Sequence, residues 1–223
     1  MDSDSRKAIA GFWFFLSISI FVGFSIWFLL NGGFHEPWQQ LVSFIRETEI
    51  KPQTPFWEVW NIVFGFVLLD FWLSMGIVLL LVLVIRRKPT PFFEKWKRLL
   101  NLPLLPLFYN LLGGVAAEEI VFRWFPLAIL FPRWDTNSAL WIVIIVSSLI
   151  FGLLHVFNQK PGERKLIFIL PQIMSGVIFS YIFLSYGLGG AIAVHLIFDA
   201  LFVTFVWVGY RIYPQFFTEQ QTE

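Results

Sequence analysis

Glu118, Glu119 and Arg123 stand together in the run EEIVFR, inside a stretch that is otherwise almost wholly apolar. At helical pitch, about 100° per residue, Glu119 and Arg123 are i,i+4 neighbours. They can pair on one face without help from another segment. Glu118 lies roughly a quarter-turn round the helix and is left to face something else. One carboxylate is neutralised locally, and its neighbour is available for chemistry in a low-dielectric place. Two further sets follow, Phe151 and His155 in FGLLH and His195 and Asp199 in HLIFD, each pair again four residues apart. Ionisable side chains at bilayer depth cost a few kcal/mol or more unless they are paired or line a wet cavity. One site built from three helices is therefore the economical reading.

Such a set supports hydrolysis. Glu118 can act as general base on a water, and His155 can share that water or protonate a leaving amine. His195, with Asp199 one turn on, can orient and stabilise a developing oxyanion. Cysteine is absent, and no serine stands in a recognisable nucleophile setting, so direct attack by water is favoured over an acyl-enzyme. The alternative keeps the site and adds zinc, since Glu118, His155, His195 and Asp199 are a reasonable oxygen and imidazole set for it, although no HExxH is present.

The elements that must position these residues are membrane spans. The 223 residues are 57% hydrophobic and 14% charged, where a soluble domain carries about 25% charged residues. Mean hydropathy is +0.72. Several apolar runs reach roughly the 20 residues that span a bilayer. They are continuous rather than alternating, which disfavours a transmembrane β-barrel. The expected fold is an all-α, polytopic transmembrane helical bundle of about six spans: Ala10–Leu30, Phe56–Ile85, Leu102–Phe131, Ser138–Phe157, Leu166–Tyr186 and Ala191–Tyr210. The third span could break near Gly113–Gly114. Asn31–Pro55 reads as a loop holding His35, with Trp38–Arg46 as an interfacial helix. Gly187–Gly190 reads as a tight glycine turn. The basic loop Arg86–Arg98 and most of the remaining Lys and Arg fall on one side, which puts both termini in the cytoplasm by the positive-inside rule. Asp70, inside the second span and outside the three motifs, reads as a structural partner or cavity-lining group.

The three motifs in this order, EExxxR at Glu118–Arg123, FxxxH at Phe151–His155 and HxxxD at His195–Asp199, resemble the CPBP family of CAAX proteases and bacteriocin-processing enzymes. That family includes the type II CAAX prenyl endopeptidases. The resemblance covers roughly Asn101–Tyr210. It implies an intramembrane glutamic endopeptidase without a metal or other cofactor, in which Glu118 and His155 activate water and His195 and Asp199 form the oxyanion side. Glu119, Arg123 and Phe151 would be structural support. Family proteases of the prenyl-processing type often carry Asn where this chain has Asp199. An ionised Asp accepts hydrogen bonds but donates none, so Asp199 is either protonated or orients His195.

The resemblance divides the chain into N-terminal spans with the basic loop (1–100), a catalytic core (101–210) and a polar tail (211–223). The expected protein is multi-pass and integral to the plasma membrane or an internal membrane. Its expected partners are the lipid bilayer and a membrane-associated peptide or protein substrate. A net charge of +1 gives no reason to expect nucleic acid. A non-catalytic membrane scaffold is the non-enzymatic alternative. A small transporter with a Glu/His proton relay ranks last, because no internal repeat is visible.

Overall fold

The structure, a computed structural model, describes residues 19, 21–47, 55, 58–85, 104–130, 136–157 and 166–212. The basic loop Arg86–Arg98, the polar turn Asn158–Lys165 and the tail beyond 212 lie outside the described residues. Every regular element among the described residues is a helix. In chain order these are α1 (Phe21–Leu30), α2 (His35–Glu47), α3 (Trp60–Ile85), α4 (Leu104–Glu119), α5 (Asn137–Val156) and α6 (Leu170–Ile212). A π-helix, Ile120–Leu130, continues α4 without a break, and a 3-10 turn, Leu166–Ile169, leads into α6. Among the described residues three helices, α3, α5 and α6, contain stretches long and apolar enough to cross a membrane. The chain is a helical membrane bundle.

Apolar surface on the outside is what lipid demands. On α5, Leu140, Val143, Ile144, Phe151 and Gly152 turn inward, while Ile142, Ile145, Val146, Leu149 and Ile150 are exposed. Polar groups at the inner face are small serines, Ser147 and Ser148. Thr136 starts this helix, its hydroxyl accepting from the Ala139 backbone N–H at 3.2 Å, a cap that satisfies one of the orphan donors of the first turn. α5 approaches α6 closely because Gly176 has no Cβ; one placed there would meet Ser148 Cβ at 2.8 Å. Close approach through small residues replaces the hydrophobic drive that lipid removes.

The structure moves several of the expected boundaries. The third span runs through Gly113 and Gly114 as unbroken helix. Its irregularity comes later, where the turns widen from Ile120 onward. Pro126 lies in that stretch, and its ring would collide with the carbonyl one turn back in a regular helix. A wider turn relieves that collision. The loop expected over Asn31–Pro55 contains α2, which begins at His35. This helix does not lie wholly at the interface. Gln40, Leu41 and Phe44 are buried in the core, because the Gln40 Oε1 accepts from the Tyr181 hydroxyl at 3.0 Å and the Tyr186 hydroxyl at 2.7 Å. Phe44 sits 4.9 Å from both the Trp141 and Tyr181 rings.

The expected four-residue glycine turn reduces to one residue. Gly187 has φ 74 and ψ −178, and helix continues on both sides of it. That combination is essentially restricted to glycine. The chain reverses there, since the Phe179 and His195 rings stack at 4.5 Å; on a straight helix they would stand about 24 Å apart. α6 is therefore two antiparallel arms, 170–186 and 188–212, and both pack into one core with α3 and α5. Gly187→Ala is expected to destabilise the protein by about 1–3 kcal/mol. Gly189→Ala, on exposed regular helix, should be neutral or mildly stabilising. Thermal unfolding of the two variants in detergent checks this.

Candidate functional site

α4 delivers its two glutamates to different surroundings, as their spacing requires. Glu119, the last residue before the π-helix, is 0% exposed, and Glu118 retains 33% of its side-chain surface. Arg123 Nη1 lies 3.1 Å from Glu119 Oε1, with the guanidinium 1% exposed. The expected intrahelical pair forms by distance. It is not an aligned hydrogen bond, because neither terminal nitrogen of Arg123 has a hydrogen-bond partner among the described residues. The guanidinium instead lies between aromatic faces, 4.4 Å from the Phe151 centroid and 5.3 Å from that of Phe179. Cation–π contact in a desolvated place is worth about 2 kcal/mol or more, which accounts for a cation held there.

The second arm of α6 brings His195 to the same carboxylate. Its Nδ1 lies 2.7 Å from Glu119 Oε1. An ionised carboxylate beside an arginine only accepts, so Nδ1–H is the donor. The other ring atom, Nε2, then faces the two remaining acids: Glu118 Oε2 at 3.7 Å and Asp199 Oδ2 at 3.9 Å. These are ion-pair distances, too long for hydrogen bonds. His195 is itself buried, and Phe179 is stacked on its ring at 4.5 Å and 27°. Asp199 keeps 21% of its side-chain surface, so the open edge of the site is the Glu118–Asp199 side.

His155 joins through Phe151. Its Nδ1 lies 2.8 Å from the Phe151 carbonyl, and its ring centroid is 4.6 Å from the Phe151 ring. A carbonyl accepts only, so Nδ1 carries hydrogen and Nε2 is the basic atom of the ring. The His195 ring stands edge-on to the same Phe151 at 6.0 Å. By the expected boundaries the two histidines would lie near opposite membrane faces. The structure places both against one aromatic side chain, because the reversal at Gly187 and the position of α5 bring them to one level.

Glu118, Glu119, Arg123, Phe151, His155, His195 and Asp199 thus gather at the meeting of α4, its π continuation, α5 and the second arm. Phe179 is a site residue that sequence reasoning missed. It is one phenylalanine among 28, and nothing in its local sequence marks it. Among the described residues no group of three or more His, Asp and Glu side chains is arranged to hold a metal ion.

Comparison with known families places all three motifs inside one match. Residues 100–201 match the family model described as type II CAAX prenyl endopeptidase Rce1-like. Comparisons with curated proteins and with solved structures gave no match. Arg123→Leu leaves the buried Glu119 with one cationic partner fewer and is expected to destabilise the protein by about 3–5 kcal/mol. Adding Glu119→Gln to it should restore part of that loss, as measured by unfolding of the single and double variants in detergent.

Proposed function

The segment 100–201 belongs to the CAAX-protease family, and from that premise we propose that the chain is an intramembrane endopeptidase whose nucleophile is a water activated by Glu118 and His155. The observation that carries this reading is the division of labour between adjacent glutamates. Glu119 is fully buried and occupied by Arg123 and His195, while Glu118 is partly open and faces His195 Nε2 at 3.7 Å.

In this mechanism Glu118 takes a proton from water as the water oxygen bonds to the scissile carbonyl carbon. The carbonyl oxygen becomes an oxyanion. His195, with Nδ1–H held by Glu119, meets it through Nε2–H when the ring carries both protons. Glu119 and Asp199 balance that imidazolium from two sides, which gives Asp199 a role that needs no hydrogen-bond donation. Collapse of the intermediate breaks the C–N bond. Glu118 returns the proton it took from water to the leaving amine, directly or relayed through Nε2 of His155, and an acid and an amine depart. Arg123 does not touch the reacting atoms in this scheme; it holds Glu119 in place against Phe151 and Phe179.

The substrate class is a peptide or protein anchored at the membrane. The family's description makes a lipid-modified C-terminal peptide one member of the panel to try. Purified protein in detergent is expected to cleave a member of a panel of membrane-anchored peptides. Glu118→Ala and His155→Ala should each lower the rate by at least about 100-fold, with products identified by mass spectrometry. A strong chelator should leave the rate unchanged. Loss of cleavage on chelation, with recovery on added zinc, would move the same residues to metal chemistry.

A further inference from the structure

Asp70 belongs to none of the three motifs and lies outside the segment that matches the family. It sits on α3 with 0% of its surface exposed. Its Oδ1 accepts from the Ser175 hydroxyl at 2.8 Å, and the Ser74 hydroxyl, one turn on from Asp70, is 3.4 Å from that of Ser175. Its Oδ2 has no hydrogen-bond partner among the described residues. A buried carboxylate with an unfilled acceptor costs stability, and an apolar side chain would pack there at less cost. What the group does nearby is therefore the question.

The contacts of Ser175 answer it. Ser175 and Phe179 are four residues apart on the first arm of α6 and share a face. Phe179 stacks on His195 and flanks Arg123. The residue after Asp70 reinforces the same connection: Phe71 is 6.4 Å from Phe198, and Phe198 is 6.4 Å from Phe179. Asp70 also lies close enough to interact electrostatically with His195, Asp199 and Arg123. The charged groups around His195 then come from every side: Glu118 and Glu119 on α4, Arg123 on the π-helix, Asp199 on its own arm and Asp70 on α3.

We infer that Asp70 is a positioning residue of the hydrolytic site, acting through Ser175 to set Phe179 against the His195 ring and adding its carboxylate to the groups that face that ring. The inference rests on the protease reading above for its kinetic consequences and on geometry alone for its structural ones. It gives the part of the chain outside the family match a stake in the chemistry.

Asp70→Asn separates positioning from packing, because the amide keeps the shape and the acceptor for Ser175 but not the carboxylate. With a cleaved peptide, Asp70→Asn is expected to lower kcat by about tenfold and leave KM within about twofold. The thermal midpoint should stay close to wild type. In the full chain with labelled histidine, the His195 ring signals followed by NMR should be displaced, as a change in the Phe179 ring stacked on that imidazole requires. Ser175→Ala keeps the carboxylate but frees the arm, and should lower kcat by a smaller factor. Wild-type kcat with undisplaced His195 ring signals in Asp70→Asn would reduce Asp70 to a packing group and overturn the inference. If Asp70→Asn does not fold, Ser175→Ala decides: reduced kcat at unchanged KM supports the inference, and wild-type kcat overturns it. If wild-type protein cleaves no peptide, the proposed function fails, and the NMR displacement still decides the role of Asp70.

Discussion

One fully buried oxygen, Glu119 Oε1, is shared by two cations or potential cations from different parts of the chain. Arg123 reaches it from the next turn of the same helix, and His195 reaches it from a position 76 residues later. A carboxylate in this place is tolerable only while it is paired. The requirement fixes three things at once: the rotation of α4, the start of its π continuation and the depth of the second arm of α6. Glu118 owes its open position to the same constraint, because the adjacent residue is already committed.

Around that oxygen the aromatic rings act as walls. Phe151 from α5 and Phe179 from the first arm enclose the Arg123 guanidinium, and the same two rings contact His195. Rings with negative faces suit a cation whose terminal nitrogens lack aligned acceptors. The π-helix belongs to this arrangement. It begins at the residue after Glu119, so the glutamates stand on regular helix and the arginine on a widened one. π segments are rare and are frequent at functional sites, and here the widened turn carries the site's arginine.

Much of this was legible in the chain. The apolar runs announced a membrane bundle, and i,i+4 spacing announced the Glu119–Arg123 pair, because both are local properties of sequence. The motif order marked Glu118, His155, His195 and Asp199 as one group. What was not legible depends on how helices rotate against one another. A lipid-facing side is as apolar as a core-facing side, so α5 reads alike on both faces and its inward set cannot be picked out by periodicity. That hid the contact of Glu119 with His195, the stacking of Phe179 and the bond from Ser175 to Asp70. The segment Trp38–Arg46 was misplaced for a different reason. An amphipathic helix reads as interfacial, yet two tyrosine hydroxyls far along the chain satisfy Gln40 inside the core. The third span was expected as one helix with a break near Gly113–Gly114 as the alternative, and the helix runs through both glycines, since neither needs an unusual conformation there.

The reversal at Gly187 also says something about when the site can exist. Phe179 and His195 meet across one short hairpin, so that half of the cluster is close to complete as soon as α6 has inserted and folded back. The glutamates arrive separately, on a helix inserted far earlier in the chain, and meet the imidazole only by lateral docking within the bilayer, the second of the two stages by which membrane helices assemble. A chain whose helices have all inserted but not yet docked has its imidazole and its glutamates in different lipid surroundings. The proposed chemistry, which needs the imidazole and the glutamates together, is thereby tied to completed assembly.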